Sequence, residues 1–383
     1  MSQRAKPKGI EKGKYLELRV ARLLFAEGLT PFLNVYFRKS LDPRSINNPD
    51  VDVLGCSLLP DASVLFAHYD CKSGDSEVVS RILMLNGLRN RIPSGPITYI
   101  RKSANLDIKR YAINQGIRIC NMTQFEEWER EFVIPIFGEN FPSISDIRVH
   151  ELWRSLKGKA KDKQLGRIIK YFDSEFWMEL PFTRLRRAIA GTELIQRACS
   201  ECGIVGKEQD LLVADVIRRF LFSLLSATSQ VAFLSNVEIE QAVSEWLITE
   251  TLSVQEYQTI VESAAQLIFE IYGDPHKGPM SREDYYIPPP EYAEELVSLL
   301  RRTLDLYDTL HLILPAYDAF VLEASLLGRE SVSNALLRGA TSDHRNKAKV
   351  WLRSLRLFLA ARQPSLKQWS GWTAVMGEAH FSA

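Results

Sequence analysis

The 383-residue sequence predicts two parts of different fold class, an α/β domain with a mixed central sheet followed by an all-α domain. The chain is too long for one ordinary core, since a domain typically has about 100 to 200 residues. Strand and helix patterns alternate in the first part, whereas helical periods alone continue after about Ser143. We therefore expect an α/β domain at residues 1–140 and a helical domain at residues 141–383.

The first part begins with a predicted helix and a predicted hairpin. The helix covers about Lys12 to Glu27, because apolar residues recur on one face and Gly28 follows as a stop signal. Residues 51–57 and 63–72 are two runs rich in strand-forming side chains, separated by the turn sequence Leu59-Pro60-Asp61. A β-hairpin is the simplest account of this pattern.

Helices and strands alternate after the hairpin. The last predicted helix of this part has Thr123 as its N-cap, with Glu126 three residues later. Alternation of this kind after a hairpin indicates a mixed sheet with helices on both faces. The predicted elements are a helix over 78–91, a strand over 97–100, a helix over 106–115, a strand over 117–122 and a helix over 123–129.

The residue pattern of the second part predicts helices joined by loops. Residues 274–290 carry five Pro and one Gly and are predicted to form a linker or long loop. The run Lys157, Lys159, Lys161 and Lys163 is predicted to be a loop that leads into a helix. The candidate helices are 147–156, 163–176, 183–199, 209–225, 237–249, 254–271, 293–310, 316–327 and 344–361.

Composition and charge restrict the class of protein. A content of 46% hydrophobic and 25% charged residues is typical of a globular protein, and no apolar run approaches the roughly 20 residues of a membrane span. Five irregularly spaced cysteines do not form a disulfide framework. We expect a soluble, cytoplasmic protein that does not contact a membrane. Residues 237–296 hold 13 acidic and 2 basic residues, so this segment could form a protein interface or cover a basic surface.

The chemically informative residues lie on the predicted hairpin. Asp70 and Lys72 are two residues apart on a strand and therefore share one face. The hairpin brings Asp52 beside them. Two converging carboxylates provide the oxygen ligands that Mg²⁺ prefers, with substrate phosphate completing the coordination. Glu17 borders the apolar face of the first helix and could hold a metal-bound water or a second ion.

Such a cluster predicts hydrolysis of phosphodiester bonds. A bound metal ion neutralises charge on the phosphate oxygens and lowers the pKa of a bound water. Lys72 beside the metal could orient the attacking water and stabilise the negative charge of the transition state. The sequence has no phosphate-binding loop of the G-x-x-x-x-G-K-[ST] type, so we expect no ATP hydrolysis by the chain itself.

These motifs resemble the PD-(D/E)XK, or restriction-endonuclease-like, nuclease superfamily. The resemblance covers about residues 8–135 and looks closest to the branch of Mrr-like enzymes and Holliday-junction resolvases. It rests on the opening helix with Glu17, the acidic strand Pro49-Asp50-Val51-Asp52-Val53-Leu54, the strand with Asp70-Cys71-Lys72, and the order of elements that follows. It implies a restriction-endonuclease-like fold for the first domain.

The resemblance also implies roles for individual residues. Asp52 and Asp70 would be metal ligands, the backbone carbonyl of Cys71 a further ligand, and Lys72 the catalytic lysine. Asp70 stands where Glu is commoner, and its shorter side chain would place the metal nearer the strand. Asp50 is an alternative metal ligand, because Pro49-Asp50 matches the literal motif. Asp52 is preferred since the apolar residues that follow it put it in the usual ligand position.

The helical domain contains one basic stripe. Its residues are spaced by 4, 4 and 3 and therefore lie along one helix face. Such a stripe can follow nucleic-acid phosphates, but it can equally be an ordinary solvated face. The stripe consists of Arg345, Lys349, Arg353 and Arg356.

Together these observations predict a Mg²⁺-dependent endonuclease, with Mn²⁺ able to substitute. DNA is the expected substrate, with RNA left open, and the habits of the family suggest a prokaryotic restriction or antiviral defence setting. The helical domain would select the substrate, bind a protein partner or control activity, and a homodimer is compatible with the sequence. The alternative is a nuclease-fold binding or scaffold subunit with little turnover.

Overall fold

The computed structural model describes residues 10–37, 50–72, 78–89, 92, 95–161, 163–252, 254–272 and 288–377. Residues up to about 140 form helices around one five-stranded sheet. The elements are α1 (Lys12–Ala26), β1 (Thr30–Tyr36), β2 (Asp50–Leu58), β3 (Val64–Lys72), α2 (Val78–Arg89), β4 (Ile97–Arg101), α3 (Leu106–Asn114), β5 (Ile117–Asn121), α4 (Met122–Trp128), a π-helical segment (Glu129–Val133) and α5 (Ile134–Phe137).

The sheet is mixed, as the sequence predicted. Its strands lie in sequence order, with β1, β2 and β3 antiparallel and β3, β4 and β5 parallel. The predicted hairpin is confirmed, because β2 pairs with β3 from Val53 opposite Tyr69 to Leu58 opposite Val64. The parallel strands need crossover connections, which α2 and α3 supply.

The rest of the described chain is helical. Between these helices lie short 3₁₀ turns and one π-helical segment, Asp318–Leu326. The helices are α6 (Ile147–Ala160), α7 (Gln164–Asp173), α8 (Pro181–Glu201), α9 (Lys207–Val231), α10 (Asn236–Ile248), α11 (Val254–Tyr272), α12 (Ala293–Leu304), α13 (Ile313–Tyr317), α14 (Glu330–Leu336), α15 (Ser342–Arg362) and α16 (Thr373–Met376).

Two local predictions were wrong. Helix α4 is capped by Asn121, not Thr123, and Gln124 completes the capping box, because β5 leads directly into the helix. Helix α6 continues to Ala160, so Lys157 and Lys159 lie on a helix and not in a loop. Of the predicted 274–290 linker, residues 274–287 lie outside the described residues.

The hydrophobic core crosses the predicted boundary near residue 140. One sheet face packs on α1, whereas Phe32 and Leu54 of the sheet belong to the same apolar cluster as the helices after residue 147. At this junction Arg218 and Asp318 form a fully buried ion pair at 2.7 Å, with the guanidinium carbon of Arg218 4.4 Å from the centre of the Phe32 ring. The two parts therefore stabilise each other. No helix in the described ranges is long and apolar enough to span a membrane.

Strand β1 changes orientation at Asn34. This residue has a φ of 55°, which is uncommon for any residue but glycine. Residues two apart in a regular strand share a face, yet Leu33 packs in the α1 cluster and Val35 in the opposite cluster. Asp52 lies on β2 between the residues that pair with Leu33 and Val35. The irregularity therefore sits at the position of the predicted metal ligand.

Candidate active site

A cavity of about 760 Å³ lies between the sheet and the helical part. Helix α1 and strands β1, β2 and β3 contribute one wall, and α6, α7 and α9 contribute the other. Four of the predicted site residues line it, namely Glu17, Asp52, Cys71 and Lys72. Chain segments more than 50 residues apart thus meet at one concave site, the kind of place where small ligands and substrates bind.

The carboxylate of Asp52 is oriented by the neighbouring strand. Its Oδ2 accepts a hydrogen bond from the backbone N–H of Cys71 at 2.6 Å. The Asp52 carboxylate therefore contacts the β3 backbone at Cys71, the residue between Asp70 and Lys72. Asp50 starts β2, and its side chain lies outside the described part of the structure.

Lys72 ends β3, and its side chain is exposed at the cavity wall. Glu17 faces the same cavity from α1, where it accepts from the ammonium of Lys14 at 2.5 Å. Lys14 also donates to the Asn34 side chain at 2.8 Å, and so ties α1 to the irregular point of β1. Sequence reasoning missed Lys14 and Asn34, because neither stands in a motif.

Asp70 is placed differently from Asp52. It is 1% exposed, is not among the cavity-lining residues, and forms a two-pronged ion pair with Arg81 of α2. The guanidinium Nε of Arg81 lies 2.9 Å from Asp70 Oδ2, and its second nitrogen contacts Oδ1. A protein cation therefore pairs with Asp70 in this structure, and joint binding of one ion by Asp52 and Asp70 stays a prediction.

The oxygen donors near Cys71 suit Mg²⁺ in their chemistry. The pKa of the Cys71 thiol is raised well above its usual value by burial and then by the charges of Asp52, Glu17 and Asp70. Within the described ranges, however, no three His, Cys, Asp or Glu side chains form a metal-binding group. Lys14 and Arg81 neutralise two of the carboxylates, and a divalent ion would have to replace those cations.

Helix α6 contributes several residues to the cavity, of which only Lys157 stood out in the sequence. His150, Trp153, Arg154 and Lys157 of α6 all line the cavity. The lysine run at 157–163 was the one available signal, but its prediction as a loop concealed the shared helix face.

The predicted basic stripe lies on α15, where its side chains bind other parts of the protein. Lys349 is buried at 6% exposure, and the other three side chains are half-buried. These contacts give the stripe a structural role that its spacing did not reveal, and its nucleic-acid role stays a prediction. The contacts are Arg345 to the Leu337 carbonyl at 3.1 Å, Lys349 over the Phe320 ring at 4.7 Å, Arg353 to the Val375 carbonyl at 3.0 Å and Arg356 to the Lys367 carbonyl at 3.1 Å.

Comparisons of the chain with protein-family models, with characterised proteins and with solved structures give no significant match. The resemblance in the sequence motifs therefore rests on those motifs and on the order of the elements.

Proposed function

We propose that the chain is a metal-dependent nuclease that hydrolyses phosphodiester bonds, with DNA as the principal substrate. The observation that carries the proposal is the meeting of Asp52, the Cys71 backbone and Lys72 at one cavity on adjacent strands of a mixed sheet. This arrangement supports the PD-(D/E)XK resemblance of the motifs. The setting we propose, prokaryotic restriction or antiviral defence, rests on that resemblance alone.

Asp52 and the Cys71 carbonyl would hold a Mg²⁺ ion, and Asp70 would join them after separating from Arg81. Glu17 would bind a second ion or a metal-bound water. When bound, the metal supplies charge neutralisation at the phosphate and a water of lowered pKa.

The protein's own groups position the reacting atoms. The Cys71 N–H fixes the direction of the Asp52 carboxylate, so little reorganisation is needed when substrate enters. Lys72 is exposed at the end of β3 and lines the same cavity as Asp52, so its ammonium would hold a water or a phosphate oxygen near the Asp52 carboxylate. A fixed positive charge stabilises the transition state more than the substrate, because negative charge increases as the bond to phosphorus forms.

A second candidate function is a binding or scaffold subunit with little turnover. The ion pairs of Asp70 with Arg81 and of Glu17 with Lys14 favour it, because two of the three expected acidic groups are neutralised by the protein itself. The two candidates differ in whether a divalent ion displaces these cations.

Cleavage assays on the full-length chain test the proposal. We expect cleavage of nucleic acid with Mg²⁺ or Mn²⁺ and none with EDTA, and a loss of about 100-fold or more in Asp52→Asn and Lys72→Ala. The matched controls are the exposed Asp107→Asn and the half-buried Lys109→Ala on α3, neither of which lines the cavity.

Undiminished cleavage by folded Asp52→Asn protein would remove this cavity as the active site. Tight binding of nucleic acid without cleavage at any metal concentration would favour the scaffold function. Circular dichroism of each variant separates loss of chemistry from loss of fold.

A further inference from the structure

Helix α6 presents one face to the cavity, opposite Asp52 and Lys72. His150, Trp153, Arg154 and Lys157 are spaced by three, one and three residues, which places them on neighbouring positions of that face. The face combines positive charge, an aromatic ring and an imidazole. It belongs to the helical part, outside the region that resembles a nuclease.

The positive charge of this face is available to a ligand. Arg154 is exposed and forms no hydrogen bond or ion pair with any residue that the structure describes. Lys157 pairs with Asp173 at 2.6 Å, but its side chain is 42% exposed, and ion pairs of exposed lysines are weak enough for a ligand phosphate to replace them. Arg219, in contrast, is buried and held by Asp215 at 2.8 Å, so it is part of the wall structure.

Three cations surround His150. Burial lowers the pKa of His150 to about 4, and the charges of Lys14, Arg154 and Lys157 act in the same direction. Two of these cations lie on α6 and one on α1, and all three line the cavity. Acidic side chains line the cavity as well, so an anion would bind at Arg154 and Lys157 and not over the whole cavity. These acidic residues are Glu11, Glu17, Asp52, Glu151, Asp173 and Asp215.

Two half-buried aromatic residues line the same cavity as these cations, and one of them, Trp153, also packs against the apolar core. Trp153 lies on the same face of α6, and Tyr36 lines the cavity from β1. Sites that bind a single strand combine cations that contact the nucleic-acid backbone with aromatic rings on which the bases stack. A duplex does not expose the faces of its bases in this way, because they are stacked on one another.

The cavity also limits the size of the ligand. Protein encloses about 760 Å³ from both sides, with the sheet on one and α6 on the other. A duplex is wider than its own major groove, which is about 12 Å across, so we expect an intact duplex to be excluded from a volume of this size. A single strand or a frayed end is narrow enough to enter.

We propose that α6 binds a single nucleic-acid strand, with backbone phosphate on Arg154 and Lys157 and a base stacked on Trp153. The strand then passes Asp52 and Lys72, and in this respect the inference rests on the proposed nuclease function. Substrate selection by strandedness is thereby assigned to a helix of the second part.

Binding is measured with the full-length chain in EDTA, so that no strand is cut. The probes are a fluorescent single-stranded DNA oligonucleotide, the RNA of the same sequence and the corresponding DNA duplex, followed by anisotropy over a range of salt. We expect a single strand to bind more tightly than the duplex, and the DNA and RNA probes show which sugar is preferred. In the double variant Arg154→Ala, Lys157→Ala the slope of log K against log salt should fall by about 0.7 for each lost contact.

Helix α6 provides its own control. Lys159 pairs with Glu208 at 2.5 Å outside the cavity, so Lys159→Ala should leave the slope unchanged. Trp153→Leu should weaken binding of a single strand about fivefold or more, because base stacking is lost. Trp153→Tyr should restore most of the affinity for a single strand, because it returns an aromatic ring on which a base can stack. A purely structural role for Trp153 would not require this recovery.

Equal affinity for duplex and single strand, or an unchanged salt slope in the folded double variant, would overturn the inference. Those results would leave the proposed function intact if Mg²⁺-dependent cleavage is still lost in Lys72→Ala. Conversely, normal α6-dependent binding without any cleavage would contradict the nuclease and leave the binding site in place.

Discussion

Helices α6 and α15 carry similar basic spacings but use them differently. On α6, Arg154 and Lys157 face a cavity, and the one pairing within the described residues is the exposed contact of Lys157 with Asp173. On α15, the four basic side chains are directed at carbonyl groups and one aromatic ring of the same protein. Spacing shows that charges share a face, whereas the packing partner determines whether those charges are held by the protein or available to a ligand.

The two acidic residues of the hairpin also differ in their surroundings. Asp52 lines the cavity and accepts a hydrogen bond from the Cys71 N–H, whereas Asp70 is buried and paired with Arg81. We expect Arg81→Ala to lower the free energy of unfolding by roughly 3–5 kcal/mol, because it leaves a buried carboxylate without its partner. If Asp70 is a metal ligand, Mg²⁺ should restore part of that loss.

Urea unfolding of Arg81→Ala and wild type, each with EDTA and with Mg²⁺, measures both effects. Arg110→Ala is the control, because its pair with Asp107 is exposed and 3.9 Å long. Equal stabilisation of wild type and Arg81→Ala by Mg²⁺ would mean that Asp70 does not bind the ion.

The comparison of α6 with α15 predicts opposite effects of two similar substitutions. Arg353→Ala removes a hydrogen bond to the Val375 carbonyl and should lower the free energy of unfolding by about 1 kcal/mol without changing oligonucleotide affinity. Arg154→Ala should weaken oligonucleotide binding and leave the stability nearly unchanged. Thermal unfolding and oligonucleotide anisotropy of both variants test these expectations. If Arg353→Ala weakened oligonucleotide binding without any loss of stability, the α15 stripe would be part of the nucleic-acid interface.

The smallest expected effect concerns pH. The pKa of His150 is lowered to about 4 from 6.5, first by burial and then by its cationic neighbours. Between these two values the unfolded chain binds more protons than the folded chain, so this group makes the protein less stable as the pH falls. In His150→Gln the decline of the melting temperature from pH 6.5 to 4 should be slightly shallower.

An NMR titration measures the pKa of His150 directly. A single strand bound at α6 should raise the pKa of His150, because its phosphate offsets the surrounding positive charge. A pKa that does not respond to the oligonucleotide would place the strand elsewhere.

Local patterns predicted the elements around the site, but not its opposite wall. The hairpin of Asp52 and Asp70 and the exposed end of β3 at Lys72 follow from strand periodicity and one turn. The Asp70–Arg81 pair does not, because it depends on how α2 packs against the sheet. The contribution of α6 also depends on a tertiary contact, since its residues are about 80 or more positions from Lys72.

The irregular point of β1 could not be predicted from residue types. Asn34 tolerates a positive φ better than most residues, but nothing in the sequence distinguishes it from other loop or strand asparagines. Its position next to Asp52 is set by strand register, and the ammonium of Lys14 stabilises its side chain from another element.

The position of the metal ion tests the central claim most directly. Crystals of the full-length chain with Mn²⁺ and a non-cleavable single-stranded oligonucleotide should show anomalous density against the Asp52 carboxylate and the Cys71 carbonyl, beside Lys72. Asp70 should then be separated from Arg81 and bound to the same ion. Density at Asp50 alone, or an intact Asp70–Arg81 pair with no ion at Asp52 in a protein that cleaves, would contradict the account.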